Sequence, residues 1–453
     1  MSEKGYNVDW IKKSSWGVIG AGLLMLTALV IANGGKGHHL FGRETVITVG
    51  VFSDSYWEVQ NGYSYQILED AIALFEQEHK GVRVEYVSGI LKENYAEWLA
   101  EQMILGRTPD VFLVFGENFS DFAEIGALRD LGSLMEKDPL FAADHFYTSA
   151  FQCGQYGQRQ YALPYECAPR LMFVNKKILN EEGIMLPQEE WTWDDFYQIC
   201  SKVTKDKDGN GVPDQFGVVG YTWSDAFDAN GVELFNSQGT ECLLTDEGVR
   251  EAILFMEELE GLYDGYQVTN KDFDLGKVAF QPMLFSEYRA YKPYPLSIKK
   301  YSGFEWECIP MPSGSSGDNV AKLDTLLLAM SEDTKQAEYA WEFMKLLSFD
   351  QRIQSEIFTY SEGVSVLRDV TESDETLQRL IESSGENMGL NLQVLSNAVE
   401  HAVVAPRFRS REEAEAEVDR AVRDIMEGSS NISMEQIIWN REINNFLKDR
   451  GKR

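Results

Sequence analysis

Apolar positions in the first third of the chain switch between two periods. Val46 to Phe52 is a near-continuous apolar run, as in a parallel strand covered on both faces. Ile67, Leu68, Ala71, Ile72 and Phe75 then recur at helical spacing. Val82, Val84 and Tyr86 alternate as a second strand, Tyr95 to Leu105 reads as a helix closed by Gly106, and Val111 to Phe115 reads as a third strand. The order β-α-β-α-β predicts a parallel sheet with right-handed crossovers. Ligands of such sheets lie beyond the carboxyl ends of the strands. The loops predicted there are Ser53–Tyr63, Ser88–Asn94 and Gly116–Asp121, and they carry Asp54, Tyr56, Trp57, Tyr63, Glu117 and Asn118.

The densest run of signals spans Tyr161 to Gly220. Leu163-Pro164-Tyr165 is followed by Val174-Asn175-Lys176, then Pro187, then Trp191-Thr192-Trp193-Asp194-Asp195-Phe196, then an oxygen-rich loop from Thr204 to Gly217. This succession resembles the extracellular solute-binding proteins of ABC importers, in the sugar-binding family that includes maltose- and oligosaccharide-binding types. The resemblance covers nearly everything after about residue 45. It implies an α/β, two-lobed periplasmic-binding-protein-like fold with a hinge and C-terminal helices. Lobe 1 is expected from residues 45–168 and 325–362, and lobe 2 from 172–323 and 364–450. The chain is expected to cross between lobes near Ala168–Phe173, Leu323–Met330 and Glu362–Val366. The resemblance further implies a non-enzymatic monomer at the extracellular face. Its carbohydrate ligand would pass to ABC permease subunits in the membrane.

A sugar ring needs flat aromatics against its C–H face and carboxylate or amide groups around its hydroxyl rim. On that basis the first-lobe candidates are Tyr56, Trp57, Tyr63, Glu117 and Asn118. Tyr165 and Glu166 are expected at the cleft floor, and Trp223 at the end of the strand Gly217–Gly220. Phe285 and Tyr288 stand in for the family's tryptophan, in an expected loop from Leu284 to Tyr288. Asp324 falls where the family has small residues. Structural alternatives stay open: Trp57 and Tyr63 packed beneath their own loop, Glu166 bridged to Arg170, Asp324 as a hinge cap. Trp191 and Trp193 read as structural, with Thr192 as a helix N-cap ahead of first-turn acids.

The loop Asp206-Lys207-Asp208-Gly209-Asn210-Gly211-Val212-Pro213-Asp214 places oxygens two residues apart. Calcium takes six to eight oxygens in such a loop. Asp206, Asp208, Asn210 and Asp214 offer side chains, Val212 a carbonyl, and Gln215 a further oxygen. Position 12 of the loop is Gly217, where a sensor EF-hand carries a bidentate glutamate, so a Ca2+ ion bound here is expected to be a staple within residues 206–217.

Composition narrows the function classes. With Lys+Arg 41 against Asp+Glu 73, the net charge of −32 argues against nucleic acid as a partner. The 5 cysteines have irregular spacing and form neither a disulfide framework nor a zinc motif. Buried thiols are the expectation, with a Cys153–Cys167 bridge as the alternative in an exported chain. Trp16 to Ala32 is uncharged and apolar after Lys12 and Lys13, so residues 1–42 read as a signal peptide or membrane anchor plus a glycine-rich linker. Arg411 to Glu427 reads as a solvated helix. Two other functions share these features: a sensor presenting bound sugar to a receptor kinase, and a glycoside hydrolase using carboxylates such as Glu117 and Glu166.

Overall fold

The computed structural model describes residues 44–57, 63, 65–290, 305–384, 388–389, 391–428 and 431–450. The expected signal peptide or anchor lies outside them. The chain divides into Met1–Thr45 and Val46–Arg453, and the second unit is the subject below. Among the described residues no helix is long and apolar enough to cross a membrane.

The first elements follow the apolar pattern: β1 (Thr45–Gly50), α1 (Gln66–Glu78), β2 (Val82–Tyr86), α2 (Lys92–Ile104) and β3 (Val111–Val114). β1 lies between β2 and β3, parallel to β3, with Val49 opposite Val111. α1 buries Ile67, Leu68, Ala71 and Phe75. The hydroxyl of Tyr95 on α2 lies 2.9 Å from the carbonyls of both Gly50 and Leu113, which ties that helix to the two central strands. The expected loop Gly116–Asp121 is instead the start of a helix, α3 (Gly116–Glu124), because Phe119, Ser120, Phe122 and Ala123 pack inward together.

β4 (Ala162–Asn175) is longer than one lobe needs and serves both. The strands it organises are β5 (Phe216–Val218), β6 (Val278–Leu284), β7 (Trp306–Ile309), β8 (Leu323–Met330) and β9 (Val364–Ser365). The first part of β4 runs antiparallel to β8, which in turn pairs with β3. Its second part is flanked by β6 and β7, both antiparallel. Where the halves meet, Glu166 and Cys167 face Leu326 and Thr325 of β8 on one edge, and Ser365 and Val364 of β9 on the other. The β4–β8 register slips between Leu326 and Leu327, leaving Tyr165 as the unpaired residue of a bulge.

Two apolar cores lie on either side of this junction. One gathers Ile47, Phe112, Leu163, Leu327 and Phe343. The other gathers Phe173, Phe196, Phe280 and Val364 with the C-terminal Val418 and Ile443. All five cysteines are reduced and buried, and Cys153 and Cys167 belong to different cores, so the alternative bridge is not formed. The helix Arg411–Glu427 is not merely solvated. It buries Ala414, Val418, Ala421, Val422 and Ile425, an amphipathic spacing masked by its many charges.

Local sequence explains the second-lobe packing. Thr192 caps α4 (Trp193–Val203) in a reciprocal capping box with Asp195. Trp191 and Trp193 are buried, and Trp193 stacks on Phe255 with ring centroids 4.4 Å apart. Gly217 lets β5 lie directly on α4: a Cβ there would stand 2.4 Å from the Cβ of Cys200 and 2.7 Å from its Cα. Gly217→Ala therefore has to part a strand from a helix, at an expected cost of about 1–3 kcal/mol. Urea unfolding should show a lower midpoint at unchanged slope. An unchanged midpoint would mean that the strand and helix separate freely.

Candidate functional site

Two cavities border the junction. The larger, about 230 Å³, is polar and is lined by Tyr56, Glu117 and Asp324 together with Lys322, Arg407, Arg411, Glu412 and Glu415. Glu117 projects from the first turn of α3, and Asp324 is the exposed position of β8 between buried Leu323 and Thr325. Asp324 is reached by solvent yet enclosed by protein, and burial raises its pKa against the pull of Lys322, Arg170 and Arg407. Burial likewise raises that of Glu117, with Glu412 and Asp324 adding repulsion. The Tyr56 hydroxyl is pushed up first by burial and then by Glu117 and Asp324. On the opposite wall the positive groups are already partnered. Glu415 lies 2.6 Å from Arg411 and 3.4 Å from Lys322. Burial opposes its ionisation, but those two cations hold its pKa below the usual range.

The smaller cavity, about 80 Å³, lies in the first lobe and is lined by Tyr56, Tyr63, Tyr165, Glu166, Tyr360 and Ser361 among mainly apolar side chains. Glu166 is only 4% exposed and accepts a 2.5 Å hydrogen bond from the Ser361 hydroxyl. Trp57 Nε1 faces the same carboxylate, outside full hydrogen-bond geometry. Gly363 allows this approach, since a Cβ there would stand 2.6 Å from Glu166 Oε2 and 2.8 Å from Trp57 Nε1. Burial raises the Glu166 pKa to about 7, against the Ser361 and Trp57 contacts that favour ionisation. Arg289, 1% exposed, donates at 2.8 Å to the carbonyls of Gly363 and Phe358, and so binds the end of α5 (Gln351–Tyr360) and the turn after it. Burial lowers its pKa to about 10.

The sequence candidates therefore separate. Tyr56 lines both cavities; Glu117 and Asp324 line the polar one; Tyr63, Tyr165 and Glu166 line the apolar one. Trp57 is 6% exposed and packs edge-on against Tyr56 at 4.7 Å, which is the alternative of a ring beneath its own loop. Tyr63 remains half exposed beside Tyr360. Asn118 lines neither cavity. The bridge between Glu166 and Arg170 is not formed, because Arg170 pairs with Asp225 and donates to the Gly220 carbonyl at 3.2 Å.

Two expectations need correction. Trp223 does not end a strand. It opens a helix, Trp223–Ala229, capped by Thr222 with Asp225, and its Nε1 bonds Asp419 at 3.2 Å. Lys322, 5.7 Å from its ring centroid, lines the polar cavity, and Trp223 does not. Phe285 and Tyr288 are not on a loop but on the helix Phe285–Ala290, where i,i+3 spacing turns both rings into the second core. They stack on each other at 5.3 Å and line neither cavity.

In the acidic loop, carboxylate oxygens of Asp206, Asp208 and Asp214 lie within 4.8 Å of one another. Gly209 (φ 74°) and Gly211 (φ 88°) supply the left-handed turns that let it close. Asn210 Oδ1 accepts from Val212 N at 2.8 Å. Gln215 differs from the four side chains of the loop in its surroundings. It is buried, and its amide donates to the Val203 carbonyl at 2.7 Å and to Glu182 at 3.3 Å.

Sequence reasoning passed over Lys322, Arg289 and the segment around Arg407. A signal for the last existed in Arg407-Phe408-Arg409-Ser410-Arg411, three arginines in five residues of a chain with net charge −32.

Known proteins share this fold. A family model for bacterial extracellular solute-binding proteins matches residues 60–351. No curated protein matches the chain. Among solved structures, the sugar-binding protein MalE from Xanthomonas citri aligns at TM-score 0.72 and 14% identity, over 90% of this chain and 98% of its own. The cyclic alpha-maltosyl-1,6-maltose binding protein from Arthrobacter globiformis aligns at 0.72 and 14%, over 89% and 99%. An ABC substrate-binding protein from Listeria monocytogenes, in complex with cycloalternan, aligns at 0.65 and 19%, over 89% and 99%.

The protonation of Glu166 makes a prediction of defined sign. Its folded pKa of about 7 lies above the unfolded value of about 4.3, so the folded state binds more protons between the two. Stability from this group is full below pH 4 and declines as pH rises toward 7. Glu166→Gln removes the penalty while keeping an acceptor for Ser361. The variant should match the parent at pH 4.5 and exceed it by up to roughly 3 kcal/mol at pH 8. Asp228 and Glu356, also raised to about 7, are present in both proteins and cancel. Denaturant melts across that range decide it; a variant less stable at pH 8 would show that the fold needs the ionised carboxylate.

Proposed function

The chain belongs to the bacterial extracellular solute-binding protein family, and from that membership we propose that it captures a carbohydrate between its lobes and delivers it to the permease subunits of an ABC importer. The observation that carries this reading is the polar cavity. Glu117 and Asp324 face it as acceptors from different secondary elements, with the Tyr56 ring beside them. Carboxylates accept from hydroxyls, and an aromatic face covers ring C–H groups. The structurally similar proteins named above are described as binding maltosyl sugars or cycloalternan, which supports a glycan as the class.

The proposed mechanism is population shift. A ligand that touches both lobes binds the closed arrangement better than the open one, so occupancy is converted into shape. The closed monomer then docks on the permease at the outer face of the membrane, with the N-terminal segment serving as an anchor or as a signal peptide cleaved on export. A hydrolase needs two carboxylates flanking one bond. Glu117 and Glu166 line different cavities, which does not favour that alternative. No observation favours the sensor reading over transport.

We also propose a structural calcium held by Asp206, Asp208, Asn210, Asp214 and the Val212 carbonyl. The donor set is all oxygen, and the convergence of three carboxylates fits a hard cation. Bound calcium would offset their repulsion and staple the loop.

Calorimetry on the full chain against neutral oligosaccharides, starting with maltotriose, tests the first proposal. Asp324→Asn and Glu117→Gln should each weaken binding about tenfold or more. A panel that yields no heat would overturn the carbohydrate reading. For the second, millimolar calcium should raise the thermal midpoint by a few degrees, EDTA should reverse this, and Asp208→Ala should abolish the increment. A midpoint indifferent to calcium removes the metal from the account.

A further inference from the structure

The structure contains a connection between the lobes that is not one of the three laddered strands. The segment from residue 402 to residue 411 begins and ends in the second lobe. Ala402 and Phe408 are buried in its core. Gly239 makes room for Phe408, whose ring carbon would lie 2.0 Å from a Cβ there. Val403 N donates to the Ala321 carbonyl at 2.9 Å. The middle of the segment, however, rests on the first lobe. Val404 packs against the first core. Arg407 Nη1 donates to the Gly116 carbonyl at 2.8 Å, and its guanidinium lies 5.8 Å from the Phe119 ring centroid. The Asp121 carboxylate faces the Ser410 backbone outside full hydrogen-bond geometry, and Arg409 stands 4.0 Å from Glu124. All of these polar and ring contacts fall on one helix, α3. Ser410 is a non-glycine residue at φ 59°, a left-handed conformation that packing on both sides must hold.

We propose that this segment is a non-covalent strap between the lobes, and that Arg407 is the positioning residue that pins it. Gly116, which Arg407 grips, precedes Glu117, so the strap sets where that carboxylate stands relative to Asp324. The same strap forms a wall of the polar cavity through Val403, Val404 and Arg407. Arg407 Nε is buried with no hydrogen-bond partner, leaving a donor for a guest that enters. Closing the lobes, seating Glu117 and completing that wall are thus one event. This role rests on reading the cavity as the ligand site, but the strap acts on the lobes before any ligand arrives.

That difference allows a test without a known ligand. Exposed Lys80 and Glu258 lie in different lobes, and the native cysteines are buried, so Lys80→Cys with Glu258→Cys accepts a dye pair selectively. Single-molecule energy transfer on the full chain then reports the interlobe distance. R407M keeps the side-chain stem over Phe119 and removes every donor; R407K keeps one cationic donor. The proposal expects R407M to raise the open-to-closed ratio of the ligand-free protein about tenfold, and R407K to stay near the parent. Thermal midpoints of both variants should remain within a few degrees of the parent. An unchanged distance distribution in R407M overturns the strap, whatever sugars bind. A panel without any sugar response overturns the ligand reading and leaves the distance result standing.

Discussion

Three passages of the chain are hydrogen-bonded side by side at one point, where Glu166 and Cys167 of β4 have β8 on one edge and β9 on the other. Everything else depends on that constraint. Backbone ladders hold their register, so the two cores share one stiff junction on which the proposed closure would turn. The bulge at Tyr165 adds local twist and turns one side chain out of the ladder. The apolar cavity and the polar cavity both border the junction, and Tyr56 reaches both.

The junction is stabilised by groups that are costly to bury singly. Glu166, Ser361, Trp57 and Arg289 gather around Gly363 at the last crossing, and two of them are ionisable and almost fully enclosed. Arg289 spends its donors on carbonyls of the segment that leads into β9. This orders the last crossing by hydrogen bonds from a helix of the other lobe. Glu166 answers burial by holding its proton more tightly. The polar cavity is built on a different principle. Its cations are engaged, to Glu415 or to a backbone carbonyl, whereas Glu117 and Asp324 face open space. A wall whose cations are paired, with Arg407 Nε left over, and whose carboxylates are open suits a guest rich in hydroxyl groups.

Much of the architecture was legible in the sequence because its signals are local. The alternating periods from Val46 to Phe115 name their own elements, and Thr192 with Asp195 announces a helix start within four residues. The candidates in the polar cavity, Tyr56, Glu117 and Asp324, came from topology and from resemblance, both of which report where loops and crossings gather. Phe285 and Tyr288 were misplaced because a six-residue helix is too short to show a period. Trp57 and Trp223 show the limit of composition: a tryptophan near a cleft is as useful to packing as to a ligand. Arg407 was invisible for another reason. Its partner Gly116 lies 291 residues away, and no local pattern encodes such a contact.

The central claim is that the lobes turn about the shared ladder to enclose a sugar. Small-angle X-ray scattering of the full chain, with and without saturating amounts of an oligosaccharide, tests it most directly. The account predicts a smaller radius of gyration with sugar, reached saturably and lost when Asp324 and Glu117 are both neutralised. A radius that stays constant for every oligosaccharide tried would contradict it.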